Sequence, residues 1–258
     1  MANDYFSFKQ FTIYQNKSAF KVGTDSVLLG ASADITSTES ILDIGSGTGL
    51  ISIMLAQRCA AVITAIESDD DSFIQTCDNV NSCKWHNRIN VKHTRLQDFN
   101  PEQVKFDLIV TNPPYFCDSL KNPDPRKSAA RHNDYLTSDE ILIGVSRLLK
   151  EDGRLQLIMP YVVGNVFIAE SIKYGLYCNK ILKIKPLPTS DIRRLILTFS
   201  RFQEKTSESF LTIEHGKRHE FTEEYINLTK DFYLKFLSGN HLTLRQSVLF
   251  LHFHSKCL

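Results

Sequence analysis

The chain has 258 residues, 42% hydrophobic and 23% charged, which is enough for one sizeable α/β core and excludes a globally disordered chain. Its 30 Lys and Arg against 29 Asp and Glu leave a formal charge of +1, so any nucleic-acid surface must be a local patch rather than a property of the whole molecule. Six cysteines (Cys59, Cys77, Cys83, Cys117, Cys178 and Cys257) form no Cys-x-x-Cys pair and no zinc-finger spacing with histidine, a scatter that suits reduced thiols better than a disulfide framework.

The first ten residues lack the apolar run of a secretory signal, and no later run reaches membrane-spanning length. A soluble, cytoplasmic protein with no metal and no membrane partner is expected. Residues 6–14 alternate like a strand or hairpin. Lys21-Val22-Gly23-Thr24-Asp25-Ser26 follows, and the apolar stretch Val27 to Ala33 reads as helix. From Ile41 onward, short β-branched runs alternate with amphipathic stretches, the pattern of βαβ units around a parallel sheet.

The first of these strands is Ile41 to Ile44, followed by a glycine-rich turn and a helix over Leu50 to Arg58. The second is Val62 to Ile66, ended by Glu67, with a helix from Asp70 to Ser82. The third is Ile89 to Lys92, with Asp98 in the loop beyond. The fourth, Phe106 to Thr111, runs into Asn112-Pro113-Pro114-Tyr115 and a polar loop over 116–134. A helix from Ser138 to Lys150 ends at Asp152-Gly153, and a fifth strand spans Arg154 to Met159. Two further runs near 180–185 and 193–202 are joined by so short a segment that antiparallel pairing is expected. The expected organisation is one domain over 1–237: an N-terminal segment (1–40), a Rossmann-like core (41–205) and a C-terminal helical element (206–237). Residues 238–258 form a tail with no assigned role.

Asp43-Ile44-Gly45-Ser46-Gly47-Thr48-Gly49 sits where a strand hands over to a helix. Glycines there let the backbone turn sharply and approach a ligand, and the helix N-terminus offers unpaired N–H groups. The third glycine comes one residue too early for the dinucleotide fingerprint, which disfavours a nicotinamide dehydrogenase. Asp43, ahead of the first glycine, suits the ammonium group in the methionine part of S-adenosylmethionine. Glu67, at the next strand end, is placed to accept from both ribose hydroxyls, and Asp98 to bond an adenine amino group with Leu96 and Phe99 flanking the ring. The bland alternatives are a ligand-free βα turn, an acidic helix start at Glu67 and an ordinary loop aspartate.

Asn112-Pro113-Pro114-Tyr115 carries the sharpest chemistry. A planar amino group is a poor nucleophile because its lone pair is delocalised. The Asn112 side-chain oxygen and the Pro113 carbonyl can hold its two N–H hydrogens and aim the lone pair at a methyl donor. Pro113 and Pro114 fix the backbone, and Tyr115 offers a π face for a base taken out of its stack. No metal is called for. Lys121, Arg126, Lys127, Arg131 and His132 follow as a basic loop able to meet phosphates, or as plain solvated surface. Lys180, Lys183, Lys185, Arg193, Arg194, Arg201 and Lys205 form a second basic stretch, either one strand face or exposed alternation.

Asp-x-Gly-x-Gly-x-Gly, Glu67, Asp98 and Asn-Pro-Pro-Tyr, in this order, resemble the class I S-adenosylmethionine-dependent amino-methyltransferases. A narrower resemblance is carried by four segments: Phe8 to Phe11, Lys21 to Gly30, Ala130-Arg131-His132 and Asp231 to Leu234. Together they are similar to the bacterial tRNA(Val) adenine-N6 methyltransferases over residues 6–236. This resemblance implies a seven-stranded, mostly parallel sheet with its last strand antiparallel and helices on both faces. It implies S-adenosyl-L-methionine as cofactor, and methylation of adenosine 37 in the anticodon loop of a valine tRNA. It also implies that Lys21, Gly23, Thr24 and Asp25 line the cofactor side of the pocket, with Asp43, Gly45, Gly47 and Gly49 at the methionine part, and that Glu67, Asp98 and Asn112 complete the cofactor contacts. The catalytic motif alone equally admits a protein glutamine N5-methyltransferase or an rRNA or DNA amino-methyltransferase. A protein that binds S-adenosylmethionine or RNA without turnover is disfavoured by the intact Asn112.

Overall fold

The structure is a computed structural model that describes residues 3–18, 20–114 and 136–234. At its start β1 (Tyr5–Ser7) and β2 (Thr12–Tyr14) form an antiparallel hairpin, followed by α1 (Thr24–Ser32). The core then runs β3 (Ser40–Ile44), α2 (Leu50–Arg58), β4 (Val62–Glu67), α3 (Asp70–Asn81), β5 (Ile89–His93) and β6 (Phe106–Thr111). After α4 (Ser138–Leu148) come β7 (Leu149–Pro160), α5 (Tyr161–Ser171), β8 (Tyr177–Lys185), β9 (Arg194–Ser200), β10 (Ser207–Thr212) and α6 (Glu223–Thr229).

Strands β3 to β10 form one sheet in the order β10-β8-β9-β7-β6-β3-β4-β5. β5, β4, β3, β6 and β7 pair in parallel, and β9 runs antiparallel to both β7 and β8. β10 adds an eighth strand, parallel to β8, where residues 206–237 were expected to be helical; only α6 is helix there. The reason is visible in the pattern. Ser207 to Phe210 are exposed and only Leu211 enters the core, so the segment has little apolar signal and is held by backbone bonding to the open edge of β8.

Strand side chains alternate between the two faces of the sheet, as the pleat requires. Leu108 and Val110 of β6 join one core cluster with Ile41, Ile63, Ile196 and residues of α1 and α2; Ile109 joins the other, with Leu42, Leu155 and residues of α4 and α5. α2 is buried from Leu50 to Ala56, so its first cluster covers the face on which the hairpin also lies. Thr137 and Glu140 close a capping box at the start of α4. That helix ends at Leu148, earlier than expected, because β7 begins at once: a Cβ on Gly153 would stand 2.8 Å from the Phe106 carbonyl, and the β6–β7 register shifts between Phe106 and Leu108.

The two ends of the described chain meet. The Phe8 ring stacks on Tyr233 at 5.8 Å, and the Lys9 N–H donates to the Phe232 carbonyl at 2.8 Å. The Phe8 and Asp231–Leu234 segments, distant in sequence, are therefore one packing unit. Among the described residues no helix is long and apolar enough to cross a membrane.

Candidate active site

Three parallel strands, β4, β3 and β6, bring their C-terminal ends together, and the candidate residues follow directly. Gly45, Gly47 and Gly49 all have φ in the left-handed region, at +70°, +59° and +77°. Side chains avoid that region, so the turn needs glycine at these positions. The Gly45 and Ser46 N–H groups donate to the Ile66 carbonyl at 2.9 and 3.1 Å, tying the turn to the end of β4. A Cβ on Gly45 or Gly47 would meet no atom within 4 Å, so the backbone of the turn borders open space at both.

Asp43 lies beneath this turn and is fully buried. Its Oδ2 accepts from the Ser52 hydroxyl at 2.6 Å, while Oδ1 is buried with no partner among the described residues. Burial pushes its carboxyl up to about 6; the Ser52 hydrogen bond opposes this and the nearby Glu67 charge adds to it. An orphaned carboxylate oxygen next to an open glycine backbone fits the ammonium end of an amino-acid ligand.

Glu67 is engaged on three sides. Its Oε2 accepts from the Gly47 N–H at 2.8 Å, and Oε1 accepts from the Ser68 and Asp69 N–H groups at 2.8 and 3.0 Å. A carboxylate offers about four lone-pair sites, so one remains, on Oε2. Glu67 thus fastens the glycine turn and can take one further hydroxyl rather than the two expected of it. Asp98 is exposed, in a turn closed by its N–H to the Arg95 carbonyl at 3.2 Å. Leu96 and Phe99 point into the second core cluster, so they do not flank a ring beside Asp98; the alternation of this short loop turns them inward.

Asn112 begins beside the glycine turn, because Thr111 pairs with Ile44 and its hydroxyl donates to the Ile44 carbonyl at 2.9 Å. The Asn112 Nδ2 donates to the Ser26 hydroxyl at 2.9 Å. That bond orients the amide and leaves Oδ1 as the free acceptor. The first turn of α1 carrying Ser26 is itself anchored: Arg194 Nε donates to Asp25 Oδ2 at 2.7 Å. Lys21 Nζ reaches the Gln15 carbonyl at 3.3 Å, Gly23 is the N-cap of α1, and Thr24 is buried. In these contacts Lys21 and Asp25 hold chain segments together. Pro113 is buried and Pro114 half-buried. Tyr115, Lys121, Arg126, Lys127, Arg131 and His132 lie outside the described residues.

A polar face of α3 supports the turn from behind. Thr76 Oγ1 donates to the Gly47 carbonyl at 2.7 Å. Asn79 Nδ2 donates to the Thr48 carbonyl at 2.8 Å, and its Oδ1 accepts from the Tyr14 N–H at 2.9 Å. Gln75 Oε1 accepts from the Lys17 N–H at 3.0 Å. Sequence reasoning missed these residues, along with Ser26 and Ser52. Ser72, Gln75, Thr76 and Asn79 do carry a signal, since polar residues recur there at the spacing of a buried helix face. Among the described residues, Cys59, Cys77, Cys83 and Cys178 are free thiols, and no group of three metal-ligating side chains occurs.

Residues 17–165 match the family model of the methyltransferase small domain. A tRNA1(Val) (adenine(37)-N6)-methyltransferase of Phocaeicola vulgatus is 46% identical over 234 residues, covering 91% of this chain and 99% of the relative. The enzyme of the same name from Bacteroides fragilis is 42% identical over 237 residues, covering 91% and 100%. The crystal structure of a predicted O-methyltransferase from Agrobacterium tumefaciens superposes with a TM-score of 0.61 at 20% identity, covering 81% of this chain and 96% of that one, which supports the class I fold. By the extent and level of these matches, the chain belongs to the tRNA1(Val) (adenine(37)-N6)-methyltransferase family.

Proposed function

We propose that this protein transfers a methyl group from S-adenosyl-L-methionine to N6 of adenosine 37 in the anticodon loop of a valine tRNA. The observation that carries the chemistry is the Asn112–Ser26 hydrogen bond, which turns the amide nitrogen toward Ser26 and leaves Oδ1 to accept from an amino group. When bound, the cofactor supplies an electrophilic methyl on a positively charged sulfur. Asp43 Oδ1 meets the cofactor's ammonium group, and the open backbone at Gly45 and Gly47 admits its methionine part. Glu67 Oε2 accepts one ribose hydroxyl while keeping its bond to Gly47. Asp98, exposed at the rim, remains the candidate for the adenine amino group.

Asn112 Oδ1 and the Pro113 carbonyl accept the two N6 hydrogens. Each bond strengthens as nitrogen gains positive charge, so the pair acts more on the transition state than on the ground state. Pro114 keeps residue 113 extended, which holds its carbonyl in place. Tyr115 stacks the extruded base. A tRNA substrate places the reaction in the cytoplasm.

The test is nucleoside mass spectrometry on valine tRNA incubated with the enzyme and labelled cofactor. N6-methyladenosine at position 37 is expected. Label recovered in RNase-resistant protein instead would replace this reading with glutamine methylation.

A further inference from the structure

Of the seven cations in the stretch from Lys180 to Lys205, four are neutralised within the fold. Lys180 pairs with Asp34 at 3.0 Å, Lys183 with Glu208 at 2.5 Å, Arg194 with Asp25 at 2.7 Å and Arg201 with Glu151 at 3.9 Å. Lys205 follows β9 at the far end of the sheet from Asn112. Lys185 and Arg193 remain, and neither has a carboxylate partner among the described residues.

Both sit at the end of the sheet that carries the candidate site. β6 ends at Thr111, opposite Leu157 of β7; β7 continues to Pro160, opposite Arg194, and Arg194 is opposite Ile184. Lys185, the last residue of β8, and Arg193, just before β9, therefore crown the same edge as Asn112. Two backbone bonds fix Arg193 between its neighbours: its N–H donates to the Ile184 carbonyl at 2.9 Å, and its carbonyl accepts from the Tyr161 N–H at 3.2 Å. The Tyr161 residue is 41% exposed. With strands roughly 4.8 Å apart, Arg193 stands two strands, or roughly 10 Å, and Lys185 three strands, or roughly 14 Å, to the side of the strand of Asn112, and both lie three residues, or roughly 10 Å, further along the sheet.

We infer that Tyr161, Arg193 and Lys185 form a docking rim for the tRNA strand that flanks the target adenosine, an inference that rests on the tRNA reading above. Two cations without a carboxylate partner among the described residues, on the same sheet edge as an exposed tyrosine, is a combination that suits single-stranded RNA: phosphates meet the cations and a neighbouring base stacks on the ring. The rim is rigid, being pinned by strand ends and by the short Pro186–Asp191 connection. Asp191, exposed in that connection, is the one acidic side chain among residues 185–193 and opposes the phosphates.

The test is the affinity of the full-length enzyme for valine tRNA over a salt series. Each phosphate contact in a single strand contributes a slope of about −0.7 in log K against log salt, so Arg193→Ala or Lys185→Ala should weaken binding about fivefold near 0.1 M salt and flatten the slope by about 0.7. Asp191→Asn should tighten binding. Tyr161→Ala should weaken it without changing the slope, and Tyr161→Phe should restore it. Affinity for S-adenosylmethionine should not move in any of them. A double Lys185/Arg193 alanine variant with wild-type affinity and slope overturns the rim while leaving the function intact. A wild-type enzyme that neither binds nor methylates tRNA overturns both.

Discussion

The loop after β3 and the loop after β6 sit side by side, yet they are held in opposite ways. The glycine turn is fastened from every direction: Ile66 above it, Glu67 beside it, Thr76 and Asn79 behind it. Among the described residues, the side chain of Asn112 is fixed by one hydrogen bond, which it donates to the Ser26 hydroxyl. In the proposed function the turn is a cofactor cradle, which must be preformed to bind before chemistry begins, and redundancy suits it. The proposed catalytic amide needs only its orientation set, and a single bond does that. The difference predicts that damage to the cradle is graded and shared, whereas damage at Asn112 is abrupt.

The largest effect should follow loss of the Asn112 amide itself. In the proposed function Asn112→Ala removes an acceptor aimed at developing charge, and groups of this kind are worth about 10²–10³ in kcat. Single-turnover methylation of valine tRNA should fall by that factor while S-adenosylmethionine affinity, measured by calorimetry, stays within about twofold. A variant that loses cofactor affinity instead would mean that Asn112 belongs to the cradle and that the contrast between the two loops is misdrawn.

Asp43→Asn tests the cradle and should cost less. Exchanging the proposed charge-assisted contact to the cofactor's ammonium group for a neutral one should weaken binding by roughly 1.5–3 kcal/mol, or about 10- to 100-fold. Stability should move the other way. Burial holds the Asp43 carboxyl up at about 6 in the fold against 3.8 in the unfolded chain. The folded state thus binds this proton more tightly, so the stability it contributes is fully present below pH 3.8 and is lost as pH rises through about 6. At pH 8 the unliganded variant, free of a buried charge, should melt higher than wild type, and cofactor binding by the wild type should weaken as pH falls below about 6. A variant that both melts lower and binds normally would make Asp43 a structural group.

Such contrasts were unevenly legible. The glycines announced the turn because a left-handed backbone excludes most other residues, and Asp43 and Glu67 stood out as charges closing apolar runs. The parallel strands were legible because each is bounded by its own turn chemistry. Ser26 was not, since a serine in an apolar helix carries no mark of its partner 86 residues away. The Asp25–Arg194 pair spans 169 residues and depends on β9 returning beside β7, which is a property of topology rather than of local pattern. β10 escaped because its side chains are mostly exposed and its bonds are backbone bonds, which any sequence can make. The position of Glu67 at a strand end points to a ligand, whereas its three backbone-amide contacts depend on how the turn folds around it and leave no mark in the sequence.

Gly47→Ala adds a third, smaller step. Its φ of +59° costs a side-chain-bearing residue roughly 1–2 kcal/mol, although the Cβ itself meets nothing. For a domain of this size that is a fall of a few degrees in Tm. Because Glu67, Thr76 and Asn79 still hold the turn, cofactor affinity should drop only modestly in the same variant. Complete loss of binding with an unchanged Tm would mean that the open space over Gly47, rather than its backbone angle, is what the glycine preserves.

The smallest effect belongs to Ser26, and it separates orientation from mere packing. Ser26→Ala removes the acceptor of the Asn112 N–H, a neutral hydrogen bond with a net worth of about 0.5–1.5 kcal/mol, so kcat should fall about 2- to 10-fold. The loss should appear in kcat with KM for tRNA and cofactor unchanged, because a freely turning amide presents its nitrogen to the substrate part of the time without altering the pocket. Ser26→Thr keeps the hydroxyl and should recover most of the rate. In an Asn112→Ala background, Ser26→Ala should cost nothing further, since no amide remains to orient. An additive loss in the double variant would show that Ser26 acts on the site by some route other than Asn112.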